Sequence, residues 1–197
     1  MTDILSSTPS MDEGGLICFK ETLARSRCYL EYGCGGSTVY ACNVAQVKVV
    51  IAADSDKRWI EKTKASFNSA NTTLLLGHCD IGEVGEWGVP KSTDQVHNFW
   101  KYMTTPWQIA KQYNHVPDTV LIDGRFRVAS FLFSLLSART GTTILFDDYM
   151  DRPNYFVVEE FCKLKEARGR MGVFTTSNQY SVTALCEKVA QYSILCN

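Results

Sequence analysis

The sequence lacks a strong charge of either sign and lacks any long apolar run. Its 197 residues carry a formal net charge of −1, whereas proteins held to nucleic acid by their overall charge need clustered Lys and Arg. No stretch reaches the roughly 18 apolar residues of a membrane span, and the first residues have neither the basic nor the apolar region of a signal peptide. We therefore expect a cytoplasmic protein with no nucleic-acid partner and no membrane partner.

Histidine is scarce, and closely spaced metal-binding cysteines are missing. The chain has three histidines and eight cysteines. It contains no C-x-x-C pair, and most of its cysteines lie in apolar runs, where a free cysteine behaves as a small buried hydrophobe. A zinc site would need scattered Cys and His positions and is not expected.

The most informative stretch runs over residues 29–38. A strand-like run ends at Glu31 and is followed within two residues by a turn containing Gly33, Gly35 and Gly36, after which a helical pattern begins. Glycines let the backbone approach a ligand closely, and the start of a helix offers unpaired N–H groups. This order of strand, turn and helix predicts a binding site for a nucleotide-like ligand.

Apolar strands alternate with helical patterns along most of the chain. Five such alternations, a helix at 155–168 and a terminal hairpin with strands at 171–175 and 180–186 predict an α/β fold. The expected architecture is a doubly wound, Rossmann-like, mostly parallel seven-stranded sheet with an antiparallel last strand. We expect a single domain over 1–197, with an N-terminal helix at about 12–26.

The alternation fades between about 81 and 117. Three of the four tryptophans lie in this segment, among them Trp87. A segment of this length exceeds a plain connection and predicts a lid or a substrate-binding insertion. The alternative is that its aromatic side chains plug the end of the sheet.

Acidic residues follow the predicted strands. In a doubly wound sheet, ligands bind at the edge where the carboxyl ends of the strands meet. The carboxylates predicted to lie at that edge are Glu31, Asp54, Asp80, Asp123, Asp147 and Asp148. Asp54 follows Gly33 at about the 20-residue spacing of the acidic residue that binds ribose hydroxyls in nucleotide-binding βαβ units.

The glycine turn favours one kind of nucleotide. A dinucleotide fingerprint needs a third glycine where Thr38 stands, and no P-loop lysine follows the turn. The run from Glu31 through Gly33 to Gly35 instead resembles the first motif of the class I S-adenosylmethionine-dependent methyltransferases. Those enzymes also have an antiparallel last strand, so the resemblance covers nearly the whole chain.

This resemblance implies S-adenosylmethionine as the cofactor. Gly33 and Gly35 would pack under its methionine part, and Glu31 would hold its amino group. Asp54 would bind the ribose hydroxyls, and Asp80 would lie near the adenine. The implied cofactor-binding set is completed by Ser37 and Asp123.

A narrower resemblance concerns the ends of the fourth and fifth strands. Metal-dependent O-methyltransferases of the catechol and macrocin kinds carry one aspartate after strand four and an Asp-Asn or Asp-Asp pair after strand five, here Asp123, Asp147 and Asp148. The resemblance implies a Mg²⁺ site at these carboxylates, with Asp123 and Asp147 as catalytic residues. The alternative is an ion-pair network without metal, formed with Arg125, Arg127 and Arg152.

The usual base of those O-methyltransferases is replaced in this chain. They place a Lys or His three residues after the first aspartate, where this sequence has Phe126. The candidate replacements are His78 and the carboxylates themselves. The arginines could also bind an anionic group on the substrate. The residues expected around the substrate are Arg125, Arg127, Tyr149, Arg152 and Trp87.

These features predict an S-adenosylmethionine-dependent methyltransferase that methylates an oxygen of a small molecule. The motif for methylation of base amino groups and any appended nucleic-acid-binding segment are missing, so the expected partner is a small-molecule substrate. A homodimer is compatible with the sequence. A non-catalytic cofactor-binding or regulatory module is the alternative, favoured by Phe126, and a nicotinamide-dependent oxidoreductase is disfavoured by Thr38.

Overall fold

A computed structural model describes residues 4–196 and contains one seven-stranded sheet with helices on both faces. Its strands β1 to β7 span Cys28–Tyr32, Val49–Asp54, Thr73–His78, Thr119–Ile122, Thr143–Phe146, Glu166–Arg168 and Met171–Thr175. Its helices α1 to α6 span Glu13–Leu23, Gly36–Asn43, Lys57–Ser66, Trp100–Gln112, Arg127–Ser137 and Val182–Tyr192. Within residues 4–196, no helix is both long and apolar enough to cross a membrane.

The sheet has the strand order β3-β2-β1-β4-β5-β7-β6. Strands β1 to β5 pair in parallel, and β7 runs antiparallel to both of its neighbours. This topology confirms the predicted doubly wound, mostly parallel sheet with an antiparallel last strand. The order reverses between β1 and β4, which is where ligands bind in sheets of this kind.

The central strands are apolar because both of their faces are covered. Every residue of β1 and of β4 is buried. Leu30 and Ile122 pack on the face that carries α4, α5 and α6, while Tyr29 and Leu121 pack on the face that carries α1 and α2. Burial on two sides explains why these strands read as continuous apolar runs.

The C-terminal part corrects the sequence prediction. The predicted helix at 155–168 is a 3-10 helix at Pro153–Glu160 followed by the short strand β6, and the predicted strand at 180–186 forms the start of α6. Ser181 caps α6 by accepting a hydrogen bond from the Ala184 backbone N–H. The hairpin is formed by β6 and β7 instead, and Ser181, which the sequence prediction places inside a strand, is the N-cap of a helix.

The long segment before β4 forms a helical layer and a projecting turn. Tyr102, Met103 and Trp107 of α4 are buried against the sheet. The 3-10 turn at Glu86–Gly88 precedes this helix, and Trp87 within it is 71% exposed. Some aromatic side chains of this segment therefore fill the core, and others, Trp87, Trp100 and Tyr113, are exposed. The expected lid or substrate-binding role of the segment stays a prediction.

Candidate functional site

A cavity of about 490 Å³ lies at the carboxyl ends of the central strands. Pockets for small molecules and cofactors have volumes of about 300–1,000 Å³. The lining comes from the glycine turn after β1, the ends of β2, β4 and β5, and the turn between β6 and β7. Most of the predicted site residues line it: Glu31, Gly33, Gly35, Ser37, Asp54, Trp87, Asp123, Arg125, Arg127, Asp147, Asp148 and Arg152.

Two predicted residues lie outside the cavity lining, at the end of β3. His78 is exposed, and its Nε2 lies 3.2 Å from the Ser55 carbonyl oxygen. Asp80 is also exposed and accepts a hydrogen bond from the Gly82 backbone N–H (3.4 Å). Strand β3 is the edge of the sheet, two strands away from the β1–β4 switch point. The structure therefore places His78 and Asp80 outside this cavity lining. Their expected roles, as replacement base and as cofactor-binding residue, stay predictions.

Tyr149 is a core residue and does not line the cavity, which corrects its expected place beside the substrate. Its side chain is fully buried, and its hydroxyl donates a hydrogen bond to Glu159 (2.8 Å). The ring packs on Phe146 and Phe174. The chain turns at Asp148, whose φ is 58°, and the side chain that follows enters the core instead of the cavity.

The glycine turn is held between two neighbouring loops. Gly33 has a φ of 87°, and a Cβ added there would lie 3.3 Å from the Gly124 Cα. Asp54 accepts hydrogen bonds from the backbone N–H of Cys34 (3.1 Å) and of Asp56 (2.7 Å). Burial raises the pKa of Asp54 to about 6, although these donors oppose the shift. The turn therefore has a fixed shape that suits close backbone approach to a ligand.

Glu31 organises the other side of the turn. It is 2% exposed, and it accepts hydrogen bonds from the hydroxyls of Ser37 and of Thr38, the latter at 2.7 Å. The Thr38 hydroxyl in turn accepts the Gly35 backbone N–H (3.0 Å). Burial raises the pKa of the Glu31 carboxyl to about 8, opposed by the two hydroxyl donors. The Thr38 hydroxyl thus links Glu31 to the turn, and a glycine at this position would have no hydroxyl to make this link.

Arg127 joins the ends of β4 and β5. It is only 4% exposed, and its guanidinium forms ion pairs with Asp123 (3.2 Å) and Asp148 (3.1 Å). It also donates hydrogen bonds to the carbonyl oxygens of Gly124 (3.0 Å) and Asp147 (2.7 Å). A guanidinium presents five donors in a fixed plane, so one side chain can hold both strand ends.

Arg170 is the main site residue that the sequence reasoning missed. Its Nε and Nη2 contact the two oxygens of Asp147 at 3.1 and 3.0 Å, and its Nε lies 3.0 Å from Asp148. It also donates to the Ser10 carbonyl oxygen (2.9 Å). Arg152 adds a further pair with Asp148 (3.1 Å). A signal existed in the Arg-Gly-Arg sequence before β7, which marks a hairpin turn.

The aspartates that predicted Mg²⁺ are the acceptors of these ion pairs. Both oxygens of Asp147 face Arg170, and Asp148 meets three guanidinium groups. Over the described part of the chain, no group of three His, Cys, Asp or Glu side chains is arranged to hold a metal ion. With its aspartates bound to guanidinium groups, the donor set does not fit a divalent cation, and the Mg²⁺ prediction is corrected. The ion-pair alternative describes this cluster, with Arg170 in place of the predicted Arg125.

Asp123 differs from the other two aspartates in its access to the cavity. Its side chain is 29% exposed, compared with 2% for Asp147. Withdrawal from bulk water raises the pKa of Asp123 to about 7; Arg127 opposes this rise, and the Asp147 and Asp148 carboxylates add to it. Burial also raises the pKa of Asp147, against the effect of Arg170. Asp123 is the carboxyl of the cluster that can exchange a proton with a ligand near neutral pH.

Three further lining residues had no clear signal in the sequence. Tyr102 of α4 accepts the Arg125 backbone N–H at its hydroxyl (2.9 Å). Trp59 of α3 stacks on Trp87, with ring centroids 6.4 Å apart and planes at 24°. Ser10 precedes α1 and reaches the cavity through its contact with Arg170. These residues come from three separate elements, so only the fold brings them together.

Comparison with known proteins identifies the fold. Neither a protein-family model nor a curated protein matches the chain. The crystal structure of a methyltransferase-like protein from Silicibacter pomeroyi superposes with a TM-score of 0.84 and 28% identity, over 96% of this chain and 98% of that chain. This similarity extends over nearly all of both proteins, and the chain has the class I methyltransferase fold.

Two other solved structures are more distant. A proposed O-methyltransferase from Klebsiella pneumoniae gives a TM-score of 0.43 and 16% identity, over 94% of this chain and 67% of that chain. TYW2 from M. jannaschii, in complex with AdoMet, gives 0.40 and 12%, over 86% and 76%.

Proposed function

We propose that this protein, which has the class I methyltransferase fold, is an S-adenosylmethionine-dependent methyltransferase that acts on a hydroxyl group of a small molecule. The observation that carries the proposal is the placement of the fixed glycine turn, Asp54 and Asp123 around one cavity at the β1–β4 switch point. The cavity has the size of a small-ligand site. No basic field surrounds the chain as a whole, whose net charge is −1.

The residues of the glycine side fit the cofactor. Gly33 and Gly35 present backbone without side chains to the methionine part, beside the first turn of α2. Glu31 and Ser37 lie where an amino group would be held, and Asp54 at the end of β2 would bind the ribose hydroxyls. Bound S-adenosylmethionine supplies a methyl group activated by a sulfonium.

Asp123 is the proposed general base. Its carboxyl is reached from the cavity, and its pKa of about 7 lets it take a proton at neutral pH. In O-methylation, the acceptor hydroxyl would lose its proton to an Asp123 oxygen as its oxygen bonds to the methyl carbon. The bond from that carbon to the sulfonium sulfur would break at the same time and leave S-adenosylhomocysteine. Arg127 stabilises the ionised form of Asp123 before that transfer. Asp147 is bound to Arg170 on both oxygens and is assigned a positioning role.

The first experiment tests which cofactor the protein binds, S-adenosylmethionine or NAD. Calorimetric titration with S-adenosylmethionine and with NAD should give binding of the first and none of the second. Absence of binding by S-adenosylmethionine would reject the proposal. Binding without transfer to any member of a hydroxyl-bearing small-molecule panel would favour the second candidate, a non-catalytic module, which the fully buried Phe126 at the usual base position supports.

The second experiment tests Asp123 once an acceptor is found. Asp123→Asn should lower kcat by about 100-fold, within the range for loss of a general base, while the affinity for S-adenosylhomocysteine stays within a few-fold. Wild-type kcat should rise with pH and level off above about 7, the pKa of Asp123. Asp151→Asn is the matched control, since Asp151 is exposed and does not line the cavity. Equal activity of the two variants would contradict the assignment.

A further inference from the structure

The cavity lining contains four arginines, and three of them have aspartate partners. Arg127 pairs with Asp123 and Asp148, Arg152 with Asp148, and Arg170 with Asp147 and Asp148. Their charges are therefore compensated by the protein itself. The fourth is Arg125, which follows Gly124 in the loop after β4.

Arg125 is the exception in this set. Among residues 4–196, no ion pair is formed by its guanidinium, and its Nε is buried without a hydrogen-bond partner. A buried donor that is left unpaired is unfavourable, and a charged one more so. The site therefore contains one guanidinium that has no ion-pair partner in the described chain and whose buried Nε has no hydrogen-bond partner.

The position of Arg125 is fixed by its neighbours. Its backbone N–H donates to the Tyr102 hydroxyl at 2.9 Å. The next residue, Phe126, is fully buried and holds a left-handed φ of 52°. On the other side, the Arg125 side chain lies against Gly88 of the projecting turn. A non-glycine residue in this conformation needs support from its surroundings, which here hold Arg125 at the cavity wall.

We infer that the methyl acceptor is an anion and that Arg125 binds its negative group. This inference rests on the function proposed above. A guanidinium fork matches a carboxylate or a phosphate with two parallel hydrogen bonds. Such a group would give the buried Nε a hydrogen-bond acceptor and give Arg125 a partner of opposite charge. The substrate class is therefore a small hydroxyl-bearing carboxylate or phosphate ester.

The test uses the intact protein saturated with S-adenosylhomocysteine at low salt. Benzoate and phenyl phosphate are the anionic probes, and benzyl alcohol is the neutral control, each followed by calorimetry. The wild type should bind at least one anion and bind benzyl alcohol at least tenfold more weakly. Arg125→Gln should weaken the anion at least tenfold, and Arg125→Lys should lose less. Arg25→Gln, an exposed arginine outside the cavity lining, is the control.

Binding of cofactor fragments shows whether Arg125 binds an anionic acceptor or the carboxylate of the cofactor. If Arg125 binds the acceptor, the Arg125→Gln variant should bind S-adenosylhomocysteine with an affinity within threefold of the wild type. If that affinity falls tenfold while the affinity for 5′-methylthioadenosine is unchanged, Arg125 holds the cofactor's carboxylate and the inference is overturned. Binding of S-adenosylhomocysteine without binding of either anion also overturns it and leaves the proposed function standing. Failure to bind S-adenosylhomocysteine at all removes both.

Discussion

The two halves of the cavity are built by different physical means. At the ends of β1 and β2, the wall consists of backbone, hydroxyl groups and the buried carboxyls of Glu31 and Asp54, which no described arginine pairs with. At the ends of β4 and β5, it consists of aspartates held by guanidinium groups. The first half depends on the local path of the chain, and the second depends on charges brought together from distant segments.

Removing a charge from the ion-paired half should have the largest effect. Arg170→Met leaves the buried Asp147 carboxylate without its bidentate partner. Loss of one member of a buried pair costs about 3 kcal/mol or more, since the remaining charge stays away from water. The free energy of unfolding in urea, measured at neutral pH, should fall by that amount.

A neighbouring arginine provides the control. Arg168 pairs with Glu21 and Glu166, whose side chains are 59% and 51% exposed. Exposed pairs contribute about 0–1 kcal/mol, so Arg168→Met should be nearly neutral. Similar losses in both variants would contradict the distinction between the two sites. Adding Asp147→Asn to Arg170→Met should recover part of the stability, because the uncompensated charge is then gone.

Distorting the glycine turn should weaken the binding of S-adenosylmethionine. In Gly33→Ala the new Cβ meets Gly124 and the residue must keep a φ of 87°, so the turn has to move. We expect S-adenosylmethionine to bind about 100-fold more weakly, which corresponds to about 2.7 kcal/mol. Gly141→Ala has the same left-handed backbone, with a φ of 90°, but no atom within 4 Å of its added Cβ. It should cost about 1 kcal/mol of stability and leave binding unchanged.

The pH dependence of stability tests the buried carboxyl of the glycine half. The pKa of Glu31 is raised from 4.5 to about 8 in the folded protein, so the folded state binds more protons than the unfolded state in that interval. Stability from this group is present below pH 4.5 and is lost as the pH rises towards 8. Glu31→Gln should flatten the fall in Tm between pH 5 and 8, because an amide does not titrate in this range. Parallel curves for wild type and variant would show that Glu31 does not carry the effect.

The glycine half could be predicted from sequence because its parts are close together in the chain. Glu31, Gly33 and Thr38 lie within one strand, turn and helix start, and Asp54 ends the next strand. Their spacing is dictated by the lengths of these elements. The doubly wound, mostly parallel sheet could be predicted from the alternation of strands and helices.

The arginine half could be predicted only in part. Asp123, Asp147 and Asp148 follow strands and were found, but their main partner Arg170 lies in the β6–β7 turn. The strand β6 is three residues long, too short for a period-two pattern to stand out from the helical pattern assigned to 155–168. The position of His78 and Asp80 outside the cavity lining could not be predicted, because a strand end at the sheet edge looks the same in sequence as one beside the switch point.

The stacked indole rings of Trp59 and Trp87 provide an intrinsic spectroscopic probe of the cavity edge. Their near-parallel contact couples the electronic transitions of the two chromophores, so circular dichroism and intrinsic fluorescence depend on where the Glu86–Gly88 turn lies. The remaining tryptophans, Trp100 and Trp107, belong to α4, and Trp87→Phe isolates the coupled signal. A change in the position of that turn on ligand binding would therefore alter these signals without an added label.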